Sequence, residues 1–175
     1  MKTGVALTFS IALVFGLASL AHAQLRAGSP EDVAFTKIEA AQDKDAKLAL
    51  LLDFEKQFPN TGAKTLATVF LMAMDIYSEK DSKSKIAEYG DKAIAKDPEN
   101  VSALLRVSRN YASEKTNLAK AVEYAEKAKS IIGNMRNQPA PTGQSDEQWK
   151  QSLDANLQSA EQYASYAKLL QSTSR

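Results

Sequence analysis

Cysteine is absent from this 175-residue chain, and its single histidine, His22, falls within the first 23 residues. No disulfide can form. Beyond residue 23 there is no Ser-His-Asp or Cys-His nucleophile, no zinc site of the usual ligand types and no haem attachment of the CxxCH kind, so no metal or cofactor is expected. Glycine and proline are sparse, at 7 and 5 residues, and the glycines are scattered without a GxGxxG or P-loop pattern, which excludes a phosphate cradle. Neither sign of charge dominates: 22 basic and 21 acidic side chains leave a formal charge of +1, which vanishes when Lys2 is set aside. Nothing in that balance steers the protein to nucleic acid or anionic lipid. From Ser29 onward no alternation of apolar and polar residues is long enough for a strand.

Long apolar runs are also lacking, with one exception, Gly4 to Leu20. Met1-Lys2 precedes it, and Ala21-His22-Ala23 sets small residues two apart before Gln24, the layout of a secretory signal peptide over 1–23. The expectation is export to the periplasm or beyond the cell, with no stable membrane insertion once the leader is cut. An uncleaved anchor is the other reading of the same residues.

What the rest of the chain does have is three-to-four spacing of apolar residues in nearly every window, which predicts an all-α fold. Ser29-Pro30-Glu31-Asp32 opens a first helix to about Gln42. A second carries Ala46, Ala49, Leu50, Phe54 and Phe58 as its buried stripe and ends at Pro59-Asn60. Thr61 is the expected cap of a third helix, with Leu66, Phe70, Ala73, Met74 and Tyr77 on one side, and Lys80-Asp81-Ser82 breaks it before a fourth with Ile86, Tyr89, Ala93 and Ile94. After Asp97-Pro98 a fifth helix buries Val101, Leu104, Leu105, Val107 and Tyr111. A sixth, from about Asn117, buries Leu118, Ala121, Val122, Ala125 and Ala128, and Gly133 is expected to stop it. A linker over 134–145 holds Pro139, Pro141 and Gly143. Ser145 to Gln148 is a capping box for a last helix over 146–171, with Trp149, Leu153, Leu157, Ala160, Ala164, Ala167 and Leu170 as its stripe and a frayed tail over 172–175.

Ile86-Ala87-Glu88-Tyr89-Gly90-Asp91-Lys92-Ala93 lies over Ala121-Val122-Glu123-Tyr124-Ala125-Glu126-Lys127-Ala128, and the helices before them align Phe70, Ala73, Met74 and Tyr77 with Leu104, Val107, Ser108 and Tyr111. A helix-turn-helix unit therefore recurs with a period of about 34 residues. This resembles the tetratricopeptide repeat of secreted bacterial proteins, including the Phe58-Pro59-Asn60-Thr61 junction. The resemblance implies an α-solenoid of antiparallel helix pairs over 24–133, with units at about 29–60, 61–97 and 98–133. Packing roles fall on Phe70, Tyr77, Tyr89, Ala93, Pro98, Leu104, Tyr111, Ala121, Tyr124 and Ala128, and Trp149, Leu153 and Leu157 belong to a capping helix. Residues 29–60 match through Ala34, Ile38, Leu51, Phe54 and Pro59 alone. Met74, Ser108, Ile86 and Gly90 depart from the family pattern.

Paired acids such as Asp43/Asp45, Glu88/Asp91 and Glu123/Glu126 sit on polar helix faces and read as solvated charge rather than general acids, and no enzyme is expected. The family resemblance further implies a concave groove lined by the first helix of each pair, here Thr68, Leu71, Met72, Asp75 and Glu79, then Ser102, Leu105, Arg106 and Arg109. Arg106 and Arg109 are one turn apart and can present both guanidinium groups to a carboxylate. In the competing reading Arg109 pairs with Asp75 and Arg106 is solvated. The expected role is a non-catalytic scaffold for an unidentified protein or peptide. The alternative is a homodimer completed through the last helix.

Overall fold

The computed structural model describes residues 25–173, and the leader read over 1–23 lies outside them. The described residues are all-α, with seven helices: α1 (Pro30–Ala40), α2 (Lys44–Gln57), α3 (Ala63–Glu79), α4 (Lys83–Lys96), α5 (Val101–Ser113), α6 (Leu118–Met135) and α7 (Asp146–Thr173). None is long and apolar enough to cross a membrane.

Local chemistry explains most of the helix starts. The Ser29 hydroxyl accepts from the Asp32 N–H at 3.2 Å with Pro30 at the first helical position, Asp43 accepts from Ala46 N–H at 2.8 Å, and Asn100 accepts from Ala103 N–H at 3.0 Å. At α7 the box is reciprocal: Gln148 N–H donates to Ser145 Oγ and Ser145 N–H donates to Gln148 Oε1, both at 3.2 Å. Thr61 does not cap α3. The cap position is Gly62, which has no side chain to offer, and Thr61 Oγ1 is buried without a partner among the described residues. Gly133 does not stop α6 either. It sits in open space within the helix, which runs on to Met135.

Each helix touches only elements one or two places away in the chain: α3 meets α2, α4 and α5, and α5 meets α3, α4, α6 and α7. Between α3 and α4 and between α5 and α6 the chain makes the same turn twice. Ser82 N–H donates to Tyr77 carbonyl at 3.0 Å and Thr116 N–H to Tyr111 carbonyl at 2.9 Å, while Asp81 and Lys115 both sit in the left-handed region at φ 52°. Glycine occupies that conformation without the steric penalty a side chain incurs. Lys115→Gly, at an exposed position, is therefore expected to stabilise the protein by up to about 1 kcal/mol in urea unfolding.

The core runs through all seven helices. Phe70, Tyr89, Leu104 and Tyr124 are buried, and Ala93, Tyr111, Ala121 and Ala128 are fully so, whereas Tyr77 is half-buried with its ring 5.3 Å from that of Tyr89. Pro98 does not pack. It lies exposed in the turn before α5, where it punctuates the chain and contributes no buried area. Ala46 and Ala49 are exposed as well, because α2 buries only the narrow side that carries Leu51 and Phe54, against Phe35 and Ile38 of α1. Packing accounts for two residues that depart from the repeat pattern read in the sequence. Met74 is fully buried, and Ser108, also fully buried, donates its hydroxyl to the Ala121 carbonyl at 2.7 Å.

Buried tyrosines tie successive pairs together. Tyr89 Oη donates to Glu55 Oε2 at 3.2 Å across 34 residues, and Tyr124 Oη donates to Asp91 Oδ1 at 3.0 Å across 33. Lys92 completes the first tie at 2.9 Å from Glu55, and Lys120 completes the second on Asp91. Tyr111 Oη also reaches Asp91 Oδ1 and the Ala87 carbonyl, each at 2.9 Å. Asp91 is thus not a solvated charge, as its place on a polar face suggests, but the acceptor at the junction of α4, α5 and α6.

The last helix packs in cis. Leu153, Ala160, Ala164 and Ala167 are buried, Trp149 and Leu157 are half-buried against the core, and α7 rests on α5 and α6. Glu147, Gln151, Gln158 and Glu161 are exposed along α7, with Leu169 its one large exposed apolar residue among those described.

Candidate functional site

Asn100 fixes the start of α5, and from that start the three-to-four spacing puts Ser102, Leu105, Arg106 and Arg109 on one side. Facing them, α7 supplies Asn156, Ser159 and Tyr163, and together these seven residues line a recess of about 80 Å³. The three α7 residues were legible in the sequence as a polar ridge at spacings of three and four beside the apolar stripe. Read only as a cap, that helix did not suggest them.

The expected groove residues of α3 are divided. Leu71 is 1% exposed and Thr68 8%, its hydroxyl donating to the Lys64 carbonyl at 3.0 Å. Both belong to the interior rather than to a groove, because α3 is flanked on three sides, by α2, α4 and α5. Met72 is half-buried against the core, and Glu79 is exposed and paired with Lys44 of α2 at 2.5 Å. Leu105 is also mostly buried and forms an apolar wall of the recess.

Asp75 alone among the α3 candidates reaches toward the recess, and it does so by bonding Arg106. This reverses the pairing read from the sequence, in which Arg109 held Asp75 and Arg106 was solvated: the Arg106 side chain is only 18% exposed. A guanidinium presents five donors in a planar fork, so the Asp75 bond occupies part of Arg106 and offsets its charge. Next to it Ser78 Oγ donates to Asn110 Oδ1 at 3.4 Å, a long contact, and Asn110 Nδ2 is buried without a partner among the described residues.

Arg109 is different. It is half-buried and has neither an ion pair nor a hydrogen bond among the described residues. Desolvating a charge costs free energy that an anion beside it recovers. The recess therefore combines one uncompensated guanidinium with a second already balanced by Asp75, and with hydroxyl and amide groups of Ser102, Asn156 and Tyr163 around them. Its size and its excess of positive charge suit a single carboxylate rather than an extended ligand.

Elsewhere the perturbed groups are structural. Burial pushes the Tyr89 hydroxyl up to about 12, helped by the charge of Glu55, and burial with the Asp91 bond raises Tyr111 and Tyr124 further. Hydrogen bonds from Lys85 and Lys92 lower Glu88, and those from Lys168 and Lys129 lower Glu126. Each carboxylate is held in its charged form, the opposite of what a general acid needs. Compared with known proteins, the chain matches no family model and no curated sequence.

Proposed function

We propose that this protein is an exported, non-catalytic scaffold of the tetratricopeptide-repeat type that binds an acidic segment of a protein or peptide in the recess between α5 and α7. Contacts confined to chain neighbours, the duplicated turn at Asp81 and Lys115, and the tyrosine ties at 34 and 33 residues are what a stack of related helix pairs predicts. Cleavage after Ala23 would leave a soluble product, in keeping with the pattern of the leader.

The observation that carries the binding role is Arg109, half-buried and unpaired among the described residues, beside a neutralised Arg106. A rigid scaffold holds such a group in place, so capture costs little further ordering. On this reading a peptide carboxylate takes the Arg109 fork, with Asn156 and Tyr163 as further hydrogen-bond partners from α7.

An array of ten-residue peptides, differing in Asp and Glu content and in free or amidated C-termini, tests it. The protein is expected to retain the acidic members, and Arg109→Glu to weaken that retention at least about tenfold while helicity and Tm stay unchanged, since Arg109 holds nothing within the fold. Retention of basic peptides, or binding indifferent to Arg109→Glu, refutes the assignment.

A further inference from the structure

A second cleft, of about 620 Å³, lies where residues 136–139 leave the end of α6 and pass the first turns of α7. Trp149, Leu153 and Pro139 give it apolar walls. Its charges cancel, Arg136 and Lys150 standing against Asp146 and Asp154, and Arg136 is bonded to Asp154 so that the two sides are tied together. Asn137 and Gln138 add two uncharged amides, each both donor and acceptor.

The cleft is held in shape before any ligand arrives. The reciprocal Ser145–Gln148 box fixes the first turn of α7, and Trp149 N–H donates to the Ser145 carbonyl at 2.9 Å. Trp149 is half-buried, and its indole Nε1–H is buried without an acceptor among the described residues. That N–H is closed to solvent, so what the indole offers the cleft is its carbon surface.

We propose that this cleft binds a neutral oligosaccharide. A sugar ring has an apolar face of C–H groups that suits an indole wall, and an edge of hydroxyls, each of which both donates and accepts. Paired amides, carboxylates and cations around one aromatic meet both needs, and the balanced charge gives no advantage to an ion. The Arg109 recess, by contrast, carries uncompensated positive charge. The proposal stands apart from the peptide-binding reading and does not depend on it.

Trp149 is the chain's only tryptophan, so its fluorescence reports this cleft alone. The full chain is titrated with maltotriose, cellotriose and chitotriose, and in parallel with trigalacturonate and an acidic decapeptide. At least one neutral trisaccharide is expected to change the emission with a midpoint of about 1 mM, and the double variant Asn137→Ala, Gln138→Ala to raise that midpoint at least about fivefold at unchanged Tm. The proposal is overturned if no neutral trisaccharide alters the emission, if the variant titrates as the parent does, or if the charged sugar or the peptide binds more tightly than the neutral ones.

Discussion

Gly90→Leu is expected to lower stability by about 3 kcal/mol or more, enough to leave much of the protein unfolded at working temperature. A Cβ built on Gly90 lies 2.9 Å from Val107 Cγ1 and 3.0 Å from Tyr111 Oη. Neither neighbour can give way. Val107 is branched at Cβ and fully buried, and Tyr111 Oη is bonded to Ala87 and Asp91. Even Gly90→Ala should destabilise, by about 1–2 kcal/mol, although the same change in an open helix stabilises by up to about 1 kcal/mol. Urea unfolding followed by far-ultraviolet circular dichroism decides the sign. A stabilised alanine variant would mean that α4 and α5 do not approach as closely as the packing around Gly90 requires.

Stability should also fall steeply above pH 10. Burial, aided by Glu55 for Tyr89 and by Asp91 for Tyr111 and Tyr124, raises all three hydroxyls above the ordinary 10.0, Tyr89 to about 12. Below pH 10 both the folded and unfolded chains keep these protons, and the stability the groups confer is fully present. As pH rises through 10 the unfolded chain releases protons that the folded chain retains, so the balance tips toward unfolding until the folded groups ionise too. Three such tyrosines contribute a slope of up to about 4 kcal/mol per pH unit once the unfolded groups are ionised. Lys92 adds to it: burial opposes its charge, but bonds to Glu88 and Glu55 outweigh this and raise it above 10.5. Helix content followed from pH 9 to 12 is expected to collapse cooperatively, and Tyr111→Phe with Tyr124→Phe to remove about two-thirds of the slope contributed by tyrosine. Equal slopes in parent and variant would contradict the buried ties.

The residues announce the helices because local signals decide them. Ser29-Pro30, the Ser145 box and the apolar spacing through Phe70, Leu104, Ala93 and Ala128 all act within a turn or two of the chain, and each is found where the pattern places it. Features that depend on a neighbouring helix were less legible. Gly90 reads as a departure from a bulky family position until Val107 and Tyr111 are seen against it. Gly133 carries the mark of a helix stop, but nothing crowds it and α6 continues past it.

The candidate site divides along the same line. Helical spacing brings Ser102, Leu105, Arg106 and Arg109 to one side of α5, which any helix would do. Which arginine meets Asp75 depends on the offset between α3 and α5, and spacing within one helix holds no information about it. Thr68 and Leu71 look like groove residues by position in a repeat, and burial of α3 on three sides removes them. The α7 half of the recess lay beyond the repeat pattern altogether.

If successive helix pairs stack side by side, as proposed, the distance between exposed positions should grow steadily along the chain. Because the chain has no cysteine, spin labels can be placed at will: Ala49→Cys, Ser84→Cys and Ala119→Cys, taken in pairs, mark exposed positions on α2, α4 and α6. Pulsed electron–electron distances should give a 49–119 separation nearly twice that of 49–84, as a one-dimensional stack requires. A 49–119 separation equal to or shorter than 49–84, as in helices wrapped about one shared axis, would contradict the account.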